Sequence, residues 1–208
     1  MKVMILNGSP RKNWNTAKML KEAERGAASA GAETEYIDLY DLTYTGCRSC
    51  LACKRKGAER CRCFWKDDLS PVIDRIFAAD ALIIGSPVYY GQPNGAILSL
   101  VQRMFFSAGY LFQNKPAASV AVCRRGGATA AFQTMNMPFQ MMNMPVVTSQ
   151  YWNIVYGREQ GQASLDSEGL QTMRTLANNM AFLLKKIHSD GEPQYPARET
   201  WQPMHFIR

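Results

Sequence analysis

At 208 residues, 47% hydrophobic and 20% charged, the chain has the composition of a globular protein large enough to bury a full core without disulfides. No apolar run approaches the roughly 20 residues of a membrane span, and the chain enters a strand at once without a signal-peptide pattern, so a cytoplasmic protein is expected. The net charge of +7 favours an anionic partner. Nucleic acid is not expected, because no recognition-helix pattern accompanies the charge.

The apolar run Val3-Met4-Ile5-Leu6 predicts a first buried strand over residues 2–7. A helix follows over 16–30, then a second strand over 33–39. Residues 44–66 read as a cysteine-rich insertion. Ser70-Pro71 predicts a cap and a first-turn proline for a helix over 70–77. Ala81-Leu82-Ile83-Ile84-Gly85 is the third strand, apolar on both faces as a central parallel strand must be. A helix over 95–107, a fourth strand over 118–123 and a helix over 128–143 come next, with Pro138 expected to end or kink the last of these. Residues 145–150 suit a fifth strand, and 167–188 a final amphipathic helix. The expected layout is therefore one domain over 1–190 and an extended tail over 191–208, whose aromatics must bury against something. Strands alternating with helices predict an α/β fold: a flavodoxin-like, doubly wound, five-stranded parallel sheet with helices on both faces. Ligands of such sheets sit at the carboxyl ends of the strands.

Three loops lie at those ends. The first, Gly8-Ser9-Pro10-Arg11-Lys12-Asn13-Trp14-Asn15-Thr16, runs from the strand straight into a helix. Backbone N–H groups and a helix dipole there suit a phosphate, with Ser9, Arg11, Asn15 and Thr16 as further donors. It matches neither the dinucleotide fingerprint nor an NTPase loop, which points to a mononucleotide. The alternative is an ordinary turn capped by Asn15 or Thr16. In the second loop Pro87, Val88, Tyr89, Tyr90 and Gly91 combine stiffness, aromatic faces and close backbone approach, which suits a flat heterocycle. Tyrosines packed into a core are the competing explanation. The third loop, Arg124-Arg125-Gly126-Gly127, offers donors and backbone approach from the other side.

With Asp67-Asp68, Gly85-Ser86 before the second loop, Tyr151-Trp152-Asn153 with Gly157, and Glu168 to Arg174, these loops resemble the NADPH-dependent FMN reductase family of flavodoxin-like proteins, in its iron–sulfur flavoprotein branch. The resemblance implies that Ser9, Arg11, Asn15 and Thr16 hold the FMN phosphate. It implies that Pro87, Val88, Tyr89, Tyr90 and Gly91 contact the isoalloxazine, and that Arg124, Gly126 and Gly127 close its other edge. The implied activity is hydride transfer from NADH or NADPH to the flavin, then electron delivery to a small molecule such as a quinone or to a redox protein. No catalytic side chain is required, because the flavin carries the chemistry. A homodimer or homotetramer is also implied.

Cys47, Cys50 and Cys53 repeat as Cys-x2-Cys-x2-Cys, and Cys61 and Cys63 follow, so five of six cysteines fall within 17 residues. Three close thiolates and a fourth, Cys61 or Cys63, could complete a [4Fe–4S] cluster, which would make the protein an electron-transfer carrier. Free structural thiols are the other reading. Zinc is weaker, for want of two spaced Cys-x2-Cys pairs, and disulfides are disfavoured in the cytoplasm. Seven basic residues between Arg48 and Lys66, opposed only by Glu59, fit either a reduced cluster, an NADPH phosphate or a solvated loop. Cys123 reads as a buried apolar residue.

Overall fold

A computed structural model describes residues 1–55, 62–189, 191, 195–197, 199, 200 and 202. Strand β1 (Lys2–Asn7) pairs in parallel with β2 (Glu33–Asp38) on one side and β3 (Ala81–Tyr89) on the other. A two-residue β4 (Gln92–Pro93) folds back antiparallel on the end of β3. Beyond β3 lie β5 (Ala117–Cys123) and the short β6 (Ile154–Tyr156), giving the order β2-β1-β3-β5-β6. The chain runs outward from β1 to β2, then crosses back to β3, so the strand order reverses between β1 and β3. The carboxyl ends of those two strands part there and leave a crevice.

Alternation along each strand divides the core in two. Val3, Ile5, Ile83 and Val120 face α1 (Asn15–Ser29) and α5 (Ser167–Ile187). Met4, Leu6, Leu82 and Ile84 face α2 (Leu69–Ala78), α3 (Gly95–Ala108) and α4 (Ala128–Met141). The doubly wound parallel sheet is thus the one expected from the sequence.

Four details differ. Residues 145–150 are not the fifth strand: they touch β5 at the single bridge Ala117–Val146. Thr148, Ser149 and Gln150 instead bond to Asn179, Thr172 and Thr175 of α5, so the sheet edge is completed later by β6. Helix α2 begins at Leu69, which makes Ser70 a first-turn residue rather than the cap, with Pro71 still in that turn. Helix α4 runs through Pro138 to Met141, two residues short of the expected end, and Met142 N–H reaches the Pro138 carbonyl at 3.0 Å. Finally, Gly95–Phe112 is an 18-residue stretch with mean hydropathy 1.2, long and apolar enough by composition to cross a membrane. Its apolar side lies in the core, against β3 and its neighbours. In the tail, Trp201 and Phe206 lie outside the described residues.

Candidate functional site

The crevice at the strand-order reversal is a cleft of about 230 Å³. Ser9, Pro10, Arg11, Trp14, Asn15 and Thr16 form one wall, and Pro87, Val88, Tyr89, Val122, Cys123 and Arg124 the other. Gly157 and Arg158, from the loop after β6, close it. A side cavity of about 330 Å³ shares Val88, Cys123 and Arg124 with the cleft and adds Tyr90, Gly91, Arg125 and Gly126. All three predicted loops therefore meet. None of the lining residues described is acidic, while Arg11, Arg124, Arg125 and Arg158 border the two spaces.

The first loop is fixed from below. Gly8 N–H donates to the Gly85 carbonyl at 2.8 Å, and the Asn94 amide donates to the Gly8 carbonyl. Asn7 accepts the Ser9 N–H at 3.0 Å, and the Ser9 hydroxyl accepts the Arg11 N–H at 3.1 Å. Trp14, not Asn15 or Thr16, stands at the cap position of α1, and its side chain makes no capping bond. The first turn also carries no acidic residue. Its N–H groups lack intrahelical acceptors by construction, so the helix start is a strong, unquenched donor site for an anion. The capped-turn alternative is removed.

Asn15 is committed elsewhere. Its amide donates to the Glu159 carbonyl at 2.9 Å and accepts the Ala163 N–H at 3.1 Å, tying α1 to the loop that carries Gly157 and Arg158. A Cβ on Gly157 would stand 2.7 Å from the Ala163 nitrogen and 2.9 Å from the Asn15 amide, so only glycine permits this junction. The sequence pointed to Gly157 only through a resemblance, and Arg158 carried no local signal.

The second and third loops touch through their backbones. Tyr90 (φ 51°) and Gly91 (φ 78°) make a two-residue turn between β3 and β4 with both residues left-handed, the geometry of a type I′ hairpin. Gly127 (φ 83°) lies against it: a Cβ there would be 2.8 Å from the Gly91 Cα. Tyr89 and Tyr90 are exposed at the cleft mouth, which excludes the core-tyrosine alternative. Burial pushes the Cys123 thiol up, with the Arg125 N–H acting against it, so the thiol stays protonated near neutrality.

The described parts of the cysteine segment, residues 44–55 and 62–66, lie against α3. Tyr44 donates to the Ala96 carbonyl at 2.8 Å, and Lys54 sits 5.0 Å from the Phe106 ring centroid. Arg48 lies 4.2 Å over Trp65, so part of the basic run is absorbed by aromatic faces. Ser49 (φ 51°) and Leu51 (φ 57°) are both left-handed, an uncommon pair of non-glycine residues that turn the chain between Cys47, Cys50 and Cys53. Burial raises the Cys53 thiol, and Cys63 and Cys47 lie near enough to raise it further. These donors suit a thiophilic metal in kind. Yet among the described residues no three His, Cys, Asp or Glu side chains are drawn into a metal-holding group, and Cys61 lies outside those residues.

Residues 1–159 match the sequence model of the NADPH-dependent FMN reductase family. An iron–sulfur flavoprotein of Methanocaldococcus jannaschii is 33% identical over 195 residues, covering 90% of this chain and 99% of that protein. Another, from Archaeoglobus fulgidus, is 30% identical over 212 residues, covering 96% and 100%. A solved flavodoxin from the domain Archaea superposes with a TM-score of 0.61 at 16% identity, over 89% of this chain and 99% of its own, a likeness of fold.

Proposed function

The chain belongs to the NADPH-dependent FMN reductase family, and from that premise we propose that it takes electrons from a reduced nicotinamide dinucleotide and passes them, through FMN, to a small-molecule acceptor such as a quinone. The observation that carries this reading is the cleft itself: an unquenched helix start at one end, a hairpin and a glycine loop at the other, and arginines around both. Ser9, Arg11, Thr16 and the first N–H groups of α1 hold the phosphate. Asn15 acts through its ties to residues 159 and 163, which keep the closing loop in place. Pro87 to Gly91 form one wall of the ring site, and Arg124, Gly126 and Gly127 the facing edge. When bound, the flavin supplies the hydride-accepting centre. The protein binds, orients and excludes water; the Cys123 thiol, held protonated, is no base.

Loading the protein with FMN and adding NADPH or NADH without oxygen tests the reading. Bleaching of the flavin band, with reoxidation by a quinone, is expected. A protein that takes up no FMN would sink it. A second copy of the chain bordering the flavin is part of the same proposal, and light scattering that gives a monomer would remove that part.

A second reading, an iron–sulfur flavoprotein acting as an electron carrier, is favoured by the M. jannaschii relative, which matches over 99% of its length. Cys47, Cys50, Cys53 and Cys61 would be its ligands, with Cys63 as the competitor for the last position. Anaerobic purification followed by iron and sulfide assays distinguishes the two: stoichiometric iron supports the carrier, and none eliminates it.

A further inference from the structure

Arg103 is the largest of the fully buried side chains, 1% exposed, in the middle of α3. Burying a guanidinium is costly unless every donor has a partner, and a pair of apolar side chains would hold a loop to a helix at less expense. The bonding pattern explains why an arginine stands here. One terminal nitrogen donates to the Thr45 carbonyl at 3.3 Å and pairs with the Asp67 carboxylate. The other donates to the Trp65 carbonyl at 2.6 Å and to the Ser70 hydroxyl at 3.3 Å. Thr45 precedes Cys47, whereas Trp65 and Asp67 follow Cys63. A single planar fork thus grips both limbs of the cysteine segment, which only the fixed donor geometry of a guanidinium can do. Its remaining nitrogen, Nε, has no hydrogen-bond partner among the described atoms, and the Cys63 side chain lies close enough to favour its charge.

The same helix starts at Gly95 and is capped by Asn94, whose side chain holds the Gly8 carbonyl and accepts the Ile97 N–H at 3.2 Å. Asn94 also takes the Ser86 hydroxyl as an acceptor for its own N–H at 2.9 Å. Arg103 therefore sits about 12 Å along a helix whose first turn is bonded to the flavin cleft, at 1.5 Å per residue. Thiols and cleft are positioned by one rigid element.

We propose that Arg103 is the positioning residue of the cysteine segment: its guanidinium draws the limb that carries Cys47 and the limb that carries Cys63 together on α3. The inference deepens the carrier reading and rests on it for the metal. The left-handed Ser49 and Leu51 explain why such a clamp is needed, since strained backbone persists only where its surroundings over-determine it.

The test uses the FMN-loaded full chain without oxygen, as wild type, Arg103→Met and Arg103→Lys. Cadmium ion is the probe, read by the thiolate-to-metal charge-transfer band, beside FMN affinity. Both variants should bind FMN within about twofold of wild type and cadmium at least about tenfold more weakly, a difference of about 1.4 kcal/mol. Arg103→Lys keeps the charge and loses the fork, so failure of lysine to rescue separates positioning from charge. Wild-type cadmium affinity in either variant overturns the proposal. If Arg103→Met does not retain FMN, Arg103→Lys decides alone. If wild type itself gives no charge-transfer band, the carrier reading fails, and limited proteolysis between residues 45 and 65 decides Arg103. Cleavage at least about tenfold faster in the variants supports the clamp, because cleavage tracks the open population, and equal rates overturn it.

Discussion

The flavin cleft and the cysteine segment both turn on left-handed backbone, but they meet its steric demand differently. In the cleft Gly91 and Gly127 take most of the positive φ, with Tyr90 beside them in the hairpin turn, and the missing Cβ of Gly127 also lets the two loops touch. In the segment Ser49 and Leu51 take it, at a penalty of roughly 1–2 kcal/mol each for residues with a side chain. The cleft is built by main chain, with one residue, Tyr90, carrying the penalty. The segment is strained and held by the Arg103 fork. A site made of backbone is ready before its ligand arrives; a site made by a clamp can be released by altering one side chain.

The comparison can be broken from the cleft side with Gly127→Val. The new side chain would meet the Gly91 Cα at 2.8 Å in a conformation that β-branched residues avoid. FMN affinity should fall about tenfold to a hundredfold, for strain of about 1–3 kcal/mol, while cadmium binding stays at the wild-type level. Fluorescence titration of FMN checks this, and unchanged affinity would refute the backbone-contact account. Asn15→Ala is next. It leaves the buried Ala163 N–H unpaired, at about 1–3 kcal/mol, takes one of two donors from the Glu159 carbonyl, and should lower thermal stability together with FMN affinity. A drop in FMN affinity without any loss of stability would mean that the Asn15 side chain serves the ligand directly.

Two smaller perturbations sharpen the contrast. Glu22 on α1 is partly buried, which raises its pKa, but Arg174 on α5 and Arg25 outweigh burial and bring it below the ordinary carboxylate value. A depressed carboxylate pKa adds stability above the unfolded value, and that stability is lost as pH falls through the folded one. Glu22→Gln should therefore reduce stability near neutrality by no more than about 1 kcal/mol and converge with wild type in acid. Denaturant midpoints across pH test it, and a constant offset at all pH values would contradict it. Leu51→Gly is the least. Leu51 is exposed, so the change relieves strain without removing a buried contact, and the two effects of glycine nearly cancel, to within about 1 kcal/mol. A melting temperature lowered by several degrees would show that Leu51 is not strained.

The fold was legible where a residue's pattern had one physical meaning. Ala81 to Gly85 could only be a central strand, and the three loops could only fall on its carboxyl side. Residues 145–150 misled because their β-branched apolar character suits a strand, whereas Thr148 to Gln150 bond to a helix 23 to 31 residues further on. Pro138 marked the approach of the helix end rather than the end itself, which falls three residues later at Met141. In the site, glycines, prolines and tyrosines advertised the loops. Arg158 and Arg103 did not, since a surface arginine and a buried one look alike in sequence. What marks Arg103 is the convergence of Thr45, Trp65 and Asp67, residues up to 58 positions away, and that exists only in three dimensions.

The open start of α1 has a consequence for the life of the protein in a cell. With Trp14 at its cap position, no side-chain cap bond and no acidic residue in its first turn, α1 leaves its first N–H groups open to an anion. On the proposed reading that anion belongs to the cofactor, and a ligand at a hundred times its dissociation constant adds about 2.7 kcal/mol to folding stability. Flavin supply would then govern abundance as well as activity: scarce FMN would leave a less stable polypeptide for proteases to clear. The prosthetic group becomes a gauge by which the cell keeps only as much of this chain as it can load.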